Sequence, residues 1–143
     1  MDQHRRHCKQ VYRTKERVKE DGDRVLEAVL TAQQMTRERF FSKRRYNDQA
    51  YARHLLCYIA YHYFGFSNND IAYFIDKNHA TVCYGRGKIA DMISITKHLD
   101  AEVYIIAYAG GYRDRENRIE FLTSEILLMQ TELNQLQNAR TNT

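Results

Sequence analysis

The lack of proline constrains this sequence most, because proline and glycine supply most of the tight turns that join β-strands. The 143 residues contain no proline and only 6 glycines, too few for a β-sandwich or barrel with many turns. Hydrophobic residues make up 43% of the chain, which indicates a packed core rather than a disordered protein. We therefore predict an all-α fold, in a chain long enough for one domain.

The sequence also argues against a membrane or secreted protein. No apolar run approaches the roughly 18 residues of a membrane span, and the start MDQHRRHCKQ lacks the apolar core of a signal peptide. The odd set Cys8, Cys57 and Cys83 has no CxxC pair, so a disulfide framework is not expected. His4 and His7 lie beside Cys8 but no second ligand pair follows at zinc spacing. We expect a cytoplasmic protein without a metal or other cofactor.

Positive charge is concentrated in the first two thirds of the chain. The net charge is +4. Residues 1–20 hold seven Lys or Arg against three acids, whereas residues 100–143 hold four against seven. This distribution favours a polyanion as the partner of the basic part.

Breaks in the pattern divide the chain into three regions. Residues 1–23 form a basic N-terminal arm, as a mobile segment or a solvated helix, which ends at the Asp-Gly-Asp of 21–23. Residues 24–97 form a helical domain. Residues 98–143 form C-terminal helices, with a hinge at Gly110-Gly111.

The middle region has the layout of a helix-turn-helix. A helical pattern over 48–64 ends at Gly65, and a capping signal at Ser67 starts a brief helix. A tight turn at 76–78 separates it from a longer helix over 79–96. A short helix, a tight turn and a long helix are typical of a DNA-binding helix-turn-helix.

The long helix carries a polar stripe at spacings of 3, 4 and 3, which we place opposite its apolar residues Val82 and Ile89. A helix that enters the major groove needs such a face, with little bulk where the DNA comes close. The solvated face of a core helix would have the same spacing, so both interpretations stay open on spacing alone. The stripe consists of Asn78, Thr81, Gly85 and Lys88.

Several short motifs in order resemble the C-terminal DNA-binding domain of the bacterial replication initiator DnaA. They are SKRR at 42–45, KNHATV at 77–82 and GKI at 87–89, and the resemblance covers roughly residues 24–97. It implies an all-helical domain with a helix-turn-helix like that of the Trp repressor, which binds short sites in double-stranded DNA.

The resemblance also implies individual DNA contacts. It implies phosphate contacts from Lys43, Arg44, Arg45 and Lys77. It implies base-edge contacts from Asn78, His79, Ala80 and Thr81. Arg53 matches a family Arg near the start of its helix, and Gly85 and Lys88 complete the predicted DNA-binding set.

Three positions depart from the family pattern. Asn78 replaces an acidic residue, Ala80 replaces a Thr, and Tyr51 stands where the family has an Arg that enters the minor groove. An Asp accepts a hydrogen bond from cytosine N4, whereas an Asn pairs bidentately with adenine. The DnaA target sequence is therefore not carried over to this chain.

Sequence motifs of an enzyme are missing. No GxxxxGK[ST] loop occurs, and Gly85-Arg86-Gly87-Lys88 lacks the leading glycine and is followed by Ile89. A serine elbow and HExxH are also absent from the sequence. We expect a protein that binds and does not catalyse.

Apolar residues in the tail keep a strict 3-4 spacing over three heptads. They indicate either an amphipathic helix that lies on its own domain or a coiled coil that forms a homodimer, and both stay open. The stripe consists of Ile119, Leu122, Ile126, Met129, Leu133 and Leu136.

The sequence thus predicts a stand-alone DNA-binding protein that acts in transcription regulation or at a replication origin. The alternative is a protein-interaction module that keeps the helix-turn-helix fold without binding specific DNA. The apolar helices of 99–136 would then bind protein.

Overall fold

The computed structural model describes residues 9–44, 47–96, 98–113 and 115–141, without the side chains of 115–122. Seven helices and no strands occur in these ranges, so the all-α prediction is confirmed. The helices are α1 (Lys15–Gln33), α2 (Arg37–Phe41), α3 (Asn47–His62), α4 (Asn68–Ile75), α5 (His79–Ile95), α6 (Leu99–Ala109) and α7 (Arg115–Thr141).

Helix α1 continues through the Asp-Gly-Asp of 21–23, so the predicted break there is wrong. The helix begins after Thr14, whose side chain accepts a hydrogen bond from the backbone N–H of Arg17. A Cβ atom at Gly22 would lie 2.7 Å from the Phe74 ring of α4. The glycine therefore allows α1 and α4 to pack closely, and it does not form a turn.

Residues 9–14 are tied to the core, which contradicts a mobile arm over that stretch. The backbone N–H of Val11 donates to the carbonyl of Gly65 over 2.9 Å. The Arg13 guanidinium donates to the carbonyl of Phe64 over 2.6 Å and to the carboxylate of Asp21 over 2.9 Å. The predicted arm also includes residues 1–8, which lie outside the described residues.

Helix α3 lies at the centre of a compact unit that ends at Tyr112. It packs against α1, α2, α4, α5 and α6. Leu55, Leu56 and Ile59 of α3 are almost fully buried. Helix α6 belongs to the same unit and buries Val103 and Ala107 completely. The structure therefore extends this compact unit beyond residue 97, to include a helix that we grouped with the tail.

The second unit contains α7, a helix of 27 residues. Its described apolar side chains are all more than half exposed within the single chain. They are Ile126, Leu127, Leu128, Met129, Leu133 and Leu136.

The part of the chain that the structure describes contains neither a membrane span nor a metal-binding cluster. None of its helices is both long enough and apolar enough to cross a membrane. No group of three or more His, Cys, Asp or Glu side chains in that part could hold a metal ion. The His4, His7 and Cys8 group lies outside the described residues.

Candidate nucleic-acid interface

Helices α4 and α5 form the predicted helix-turn-helix. The Ser67 hydroxyl caps α4 by accepting from the backbone N–H of Asp70 over 3.0 Å. Asp76 ends α4 in the left-handed conformation with φ of 55°. Only Lys77 and Asn78 then separate it from α5, so the turn between the two helices is tight.

Asn78 is the N-cap of α5. Its Oδ1 atom accepts from the backbone N–H and from the hydroxyl of Thr81, each over 2.8 Å. A backbone N–H can only donate, so this bond identifies the oxygen end of the amide. The Nδ2 amino group of Asn78 therefore remains as a donor for a partner.

The first turn of α5 is exposed as the sequence analysis predicts. His79, Ala80 and Thr81 are solvent-accessible, and so is Lys88 two turns later. The first turn contains no acidic residue, so the positive end of the helix dipole is not neutralised there. An anion such as a DNA phosphate is favoured at this end.

Gly85 is not on the exposed face, and its placement in the polar stripe is wrong. It is buried, and a Cβ atom there would lie 2.9 Å from Cδ2 of His54 and 3.4 Å from its Cα. The glycine is needed because α5 crosses α3 at this point. It does not serve a close approach by DNA.

The centre of the exposed face of α5 runs through Ala80, Tyr84, Gly87 and Asp91, and sequence reasoning missed Tyr84 as a member of it. The Tyr84 side chain is 60% exposed. A Cβ atom at Gly87 would meet no described atom within 4 Å, so Gly87 is the glycine that is open to a partner. The residues of this row lie one helical turn apart and opposite Val82, and this spacing in the sequence could have identified the row.

A histidine, a tyrosine and a lysine meet beside the α3–α5 crossing. The ring centroids of His54 and Tyr84 are 5.8 Å apart, and Lys88 Nζ lies 5.7 Å from the Tyr84 centroid. Burial, and then the charge of Lys88, lower the pKa of His54 from 6.5. Both effects disfavour the charged form of the imidazole.

Arg86 joins three helices and is another residue that sequence reasoning missed. Its guanidinium carbon lies 3.3 Å from the centroid of Tyr61 in α3. Its Nη1 donates to Oδ1 of Asn68 in α4 over 3.0 Å. These contacts place Arg86 in the scaffold that holds α5 and not on the exposed face.

The basic loop precedes α3. Lys43 and Arg44 are exposed, and the backbone N–H of Arg44 donates to the Ser42 hydroxyl over 3.1 Å. Arg45, the remaining predicted phosphate contact of this loop, lies outside the described residues. The two described cations are in position to meet a phosphate backbone.

Arg53 lies beneath this loop. Its Nε donates to the carbonyl of Phe40 and its Nη2 to the carbonyl of Ser42, each over 3.0 Å. Gln49, which is buried, donates to the same Ser42 carbonyl over 2.6 Å. These bonds give Arg53 a positioning role for the loop. Burial lowers the pKa of the Arg53 guanidinium.

Tyr51, at the position of the family's minor-groove Arg, is partly buried on α3. Burial, and then the charge of Glu102, raise the pKa of its phenol. The neighbouring acid belongs to α6, so this end of α3 is close to α6.

The comparison with protein families identifies the domain. The profile of the family described as bacterial dnaA protein helix-turn-helix matches residues 23–89, from α1 through the basic loop to Ile89 of α5. No curated protein and no solved structure matches the chain. Because the matched segment contains the helix-turn-helix and the loop described above, residues 23–89 form a DnaA C-terminal-like helix-turn-helix domain.

Proposed function

We propose that this protein binds specific sequences in double-stranded DNA, with α5 in the major groove. The observation that supports this most is the exposed first turn of α5. It carries His79, Ala80 and Thr81, and it belongs to a helix-turn-helix of the DnaA family. Short side chains at the start of such a helix reach base edges.

Cations on both sides of this turn support the same proposal. Lys77 lies just before α5, Lys88 lies two turns along it, and Lys43 and Arg44 are exposed in the basic loop. Contacts of this kind fix the register of a protein on DNA without reading sequence. They would make binding strongly dependent on salt.

The biological role that we propose is regulation of transcription or binding at a replication origin, in the cytoplasm. The protein would act by binding, without ATPase activity or other catalysis. A complete DnaA initiator needs an ATP-binding loop, and the sequence has none.

We also propose that the chain forms a homodimer through α7. The support is the row of exposed apolar side chains on this helix, of which Ile126, Met129, Leu133 and Leu136 are described. Ile119 and Leu122 continue the row in the sequence, but their side chains lie outside the described residues. Two linked domains would bind paired sites with increased avidity.

The experiment that tests DNA binding is selection from a random duplex library followed by sequencing. The proposal predicts one enriched motif for the full chain. The matched variant His79→Ala should enrich a motif that is degenerate at one or two base pairs. A library without enrichment would instead favour the alternative, a protein-interaction module that keeps the helix-turn-helix fold.

A further inference from the structure

We infer that α7 pairs with α7 of a second copy as a parallel two-stranded coiled coil. This inference rests on the proposed self-association and goes beyond it, because it fixes the direction of the partner helix. The observations that carry it are the apolar seam, the charges beside that seam and the residues that flank them.

The seam is self-complementary at heptad spacing. Ile126 and Leu133 occupy position a, and Met129 and Leu136 occupy position d. All four are between 54% and 69% exposed. Ile119 and Leu122 occupy a and d of the preceding heptad, and a β-branched residue at a with Leu at d favours two strands in a parallel coil.

The charges beside the seam favour the parallel direction. Glu125 and Glu132 occupy position g, whereas Gln130 and Gln137 occupy position e. In a parallel pair, position g faces position e of the second copy, so each Glu meets a neutral Gln. In an antiparallel pair over the same seam, position g faces position g, so Glu125 would meet Glu132 of the second copy at two places. Like charges in this arrangement are unfavourable.

The direction decides where the DNA-binding domains are attached. Helix α7 has 27 residues and is therefore about 40 Å long. A parallel coil brings Arg115 of both copies to the same end, so both domains are attached there. An antiparallel coil would attach them about 40 Å apart. The parallel coil therefore predicts tight binding to two closely spaced DNA sites.

Cysteine cross-linking tests the direction. The full chain would carry Cys8→Ser and Cys83→Ser and keep Cys57, which is buried and whose pKa burial raises to about 12. Leu136→Cys places a thiol at position d. Gln135→Cys, at the adjacent position c, is the matched control because it lies outside the seam.

A parallel coil predicts a covalent dimer from Leu136→Cys and little from Gln135→Cys under mild oxidation, since a disulfide needs close Cα atoms. It also predicts that the protein binds a duplex with two selected sites at least about 100-fold more tightly than a duplex with one. The variant Leu133→Lys should lose this gain in affinity.

Three results would overturn the inference. The first is a disulfide that forms only when Leu136→Cys is mixed with Ile119→Cys, which an antiparallel pair requires. The second is equal cross-linking at residues 135 and 136. The third is a monomer or a larger oligomer at sedimentation equilibrium. A symmetric cross-link in a protein that binds no single-site duplex would support the coil and contradict the DNA-binding proposal.

Discussion

His54 of α3 and Gly85 of α5 are so close that a Cβ atom at residue 85 would lie 2.9 Å from the imidazole Cδ2. His54 follows Arg53, whose guanidinium holds the carbonyls of the basic loop. Consecutive residues of α3 therefore fix both segments that we expect to contact DNA. The geometry of the interface depends on α3 as much as on α5.

Gly85→Ala and Gly87→Ala should have opposite effects on stability. Alanine at residue 85 must displace His54, and overpacking of this kind costs about 1–3 kcal/mol of stability. The higher helix propensity of alanine offsets roughly 1 kcal/mol of that cost. Alanine at residue 87 meets open space, so it should stabilise the protein by up to about 1 kcal/mol. Urea unfolding of both variants measures the difference.

The same pair separates packing from DNA binding. Gly87→Ala should lower the affinity for selected duplex DNA although it raises stability, because its methyl group lies on the face that enters the groove. A gain of stability in both variants would show that residue 85 is not closely packed.

Asn78→Asp should change base preference without unfolding the helix. A carboxylate oxygen can still accept from the N–H of Thr81, so the N-cap is kept. The side-chain group that faces outward changes from an amide donor to a carboxylate acceptor. In the major groove, a carboxylate accepts a hydrogen bond from the N4 amino group of cytosine. We therefore expect a shift toward cytosine at one base pair, worth about 1–3 kcal/mol.

Asn78→Ala is the control for the cap, and it should cost about 1 kcal/mol of stability. Quantitative binding to a panel of duplexes with single base changes measures both variants. Identical base profiles for the wild type and Asn78→Asp would remove Asn78 from the recognition surface.

Lys43→Ala and Arg53→Ala should lower DNA affinity for different reasons. Lys43 is exposed, so its loss should leave stability unchanged and reduce the slope of log K against log salt by about 1. Loss of Arg53 removes two bonds to the loop carbonyls, so unfolding should become easier. Salt titrations and thermal unfolding of the two variants distinguish a phosphate contact from a positioning residue. An unchanged stability of Arg53→Ala would argue against the positioning role.

Stability should fall as the pH is lowered from 7 toward 5. The folded pKa of His54 lies below 6.5, so the unfolded chain binds more protons in this range. The contribution of His54 is present above pH 6.5 and is lost as the pH falls through its folded pKa. His54→Gln should show a shallower dependence in urea titrations at pH 7, 6 and 5, whereas an equal dependence would exclude His54 as the cause.

The sequence predicts local features of this fold well. The all-α class and the DnaA-like domain were both predicted from it. The Ser67 cap and the tight turn before α5 depend on neighbouring residues, and both occur as predicted. Their signals lie within a few positions of the structure that they specify.

Features that depend on distant residues were not predictable. Gly22 resembles a helix breaker until Phe74 is known to lie against it. Arg13 resembles part of a free basic arm, but its partners include Phe64, far along the chain. Gly85 fits a polar stripe by spacing, and only the crossing with α3 shows that it is buried.

The most direct test of the DNA-binding account is the salt dependence of affinity for a selected duplex and for a scrambled duplex of the same composition. About five basic side chains near the phosphate backbone predict a slope of log K against log salt of roughly −5. The selected duplex should bind at least about 1,000-fold more tightly than the scrambled one at physiological salt. A slope near zero, or equal affinity for the two duplexes, would contradict the account.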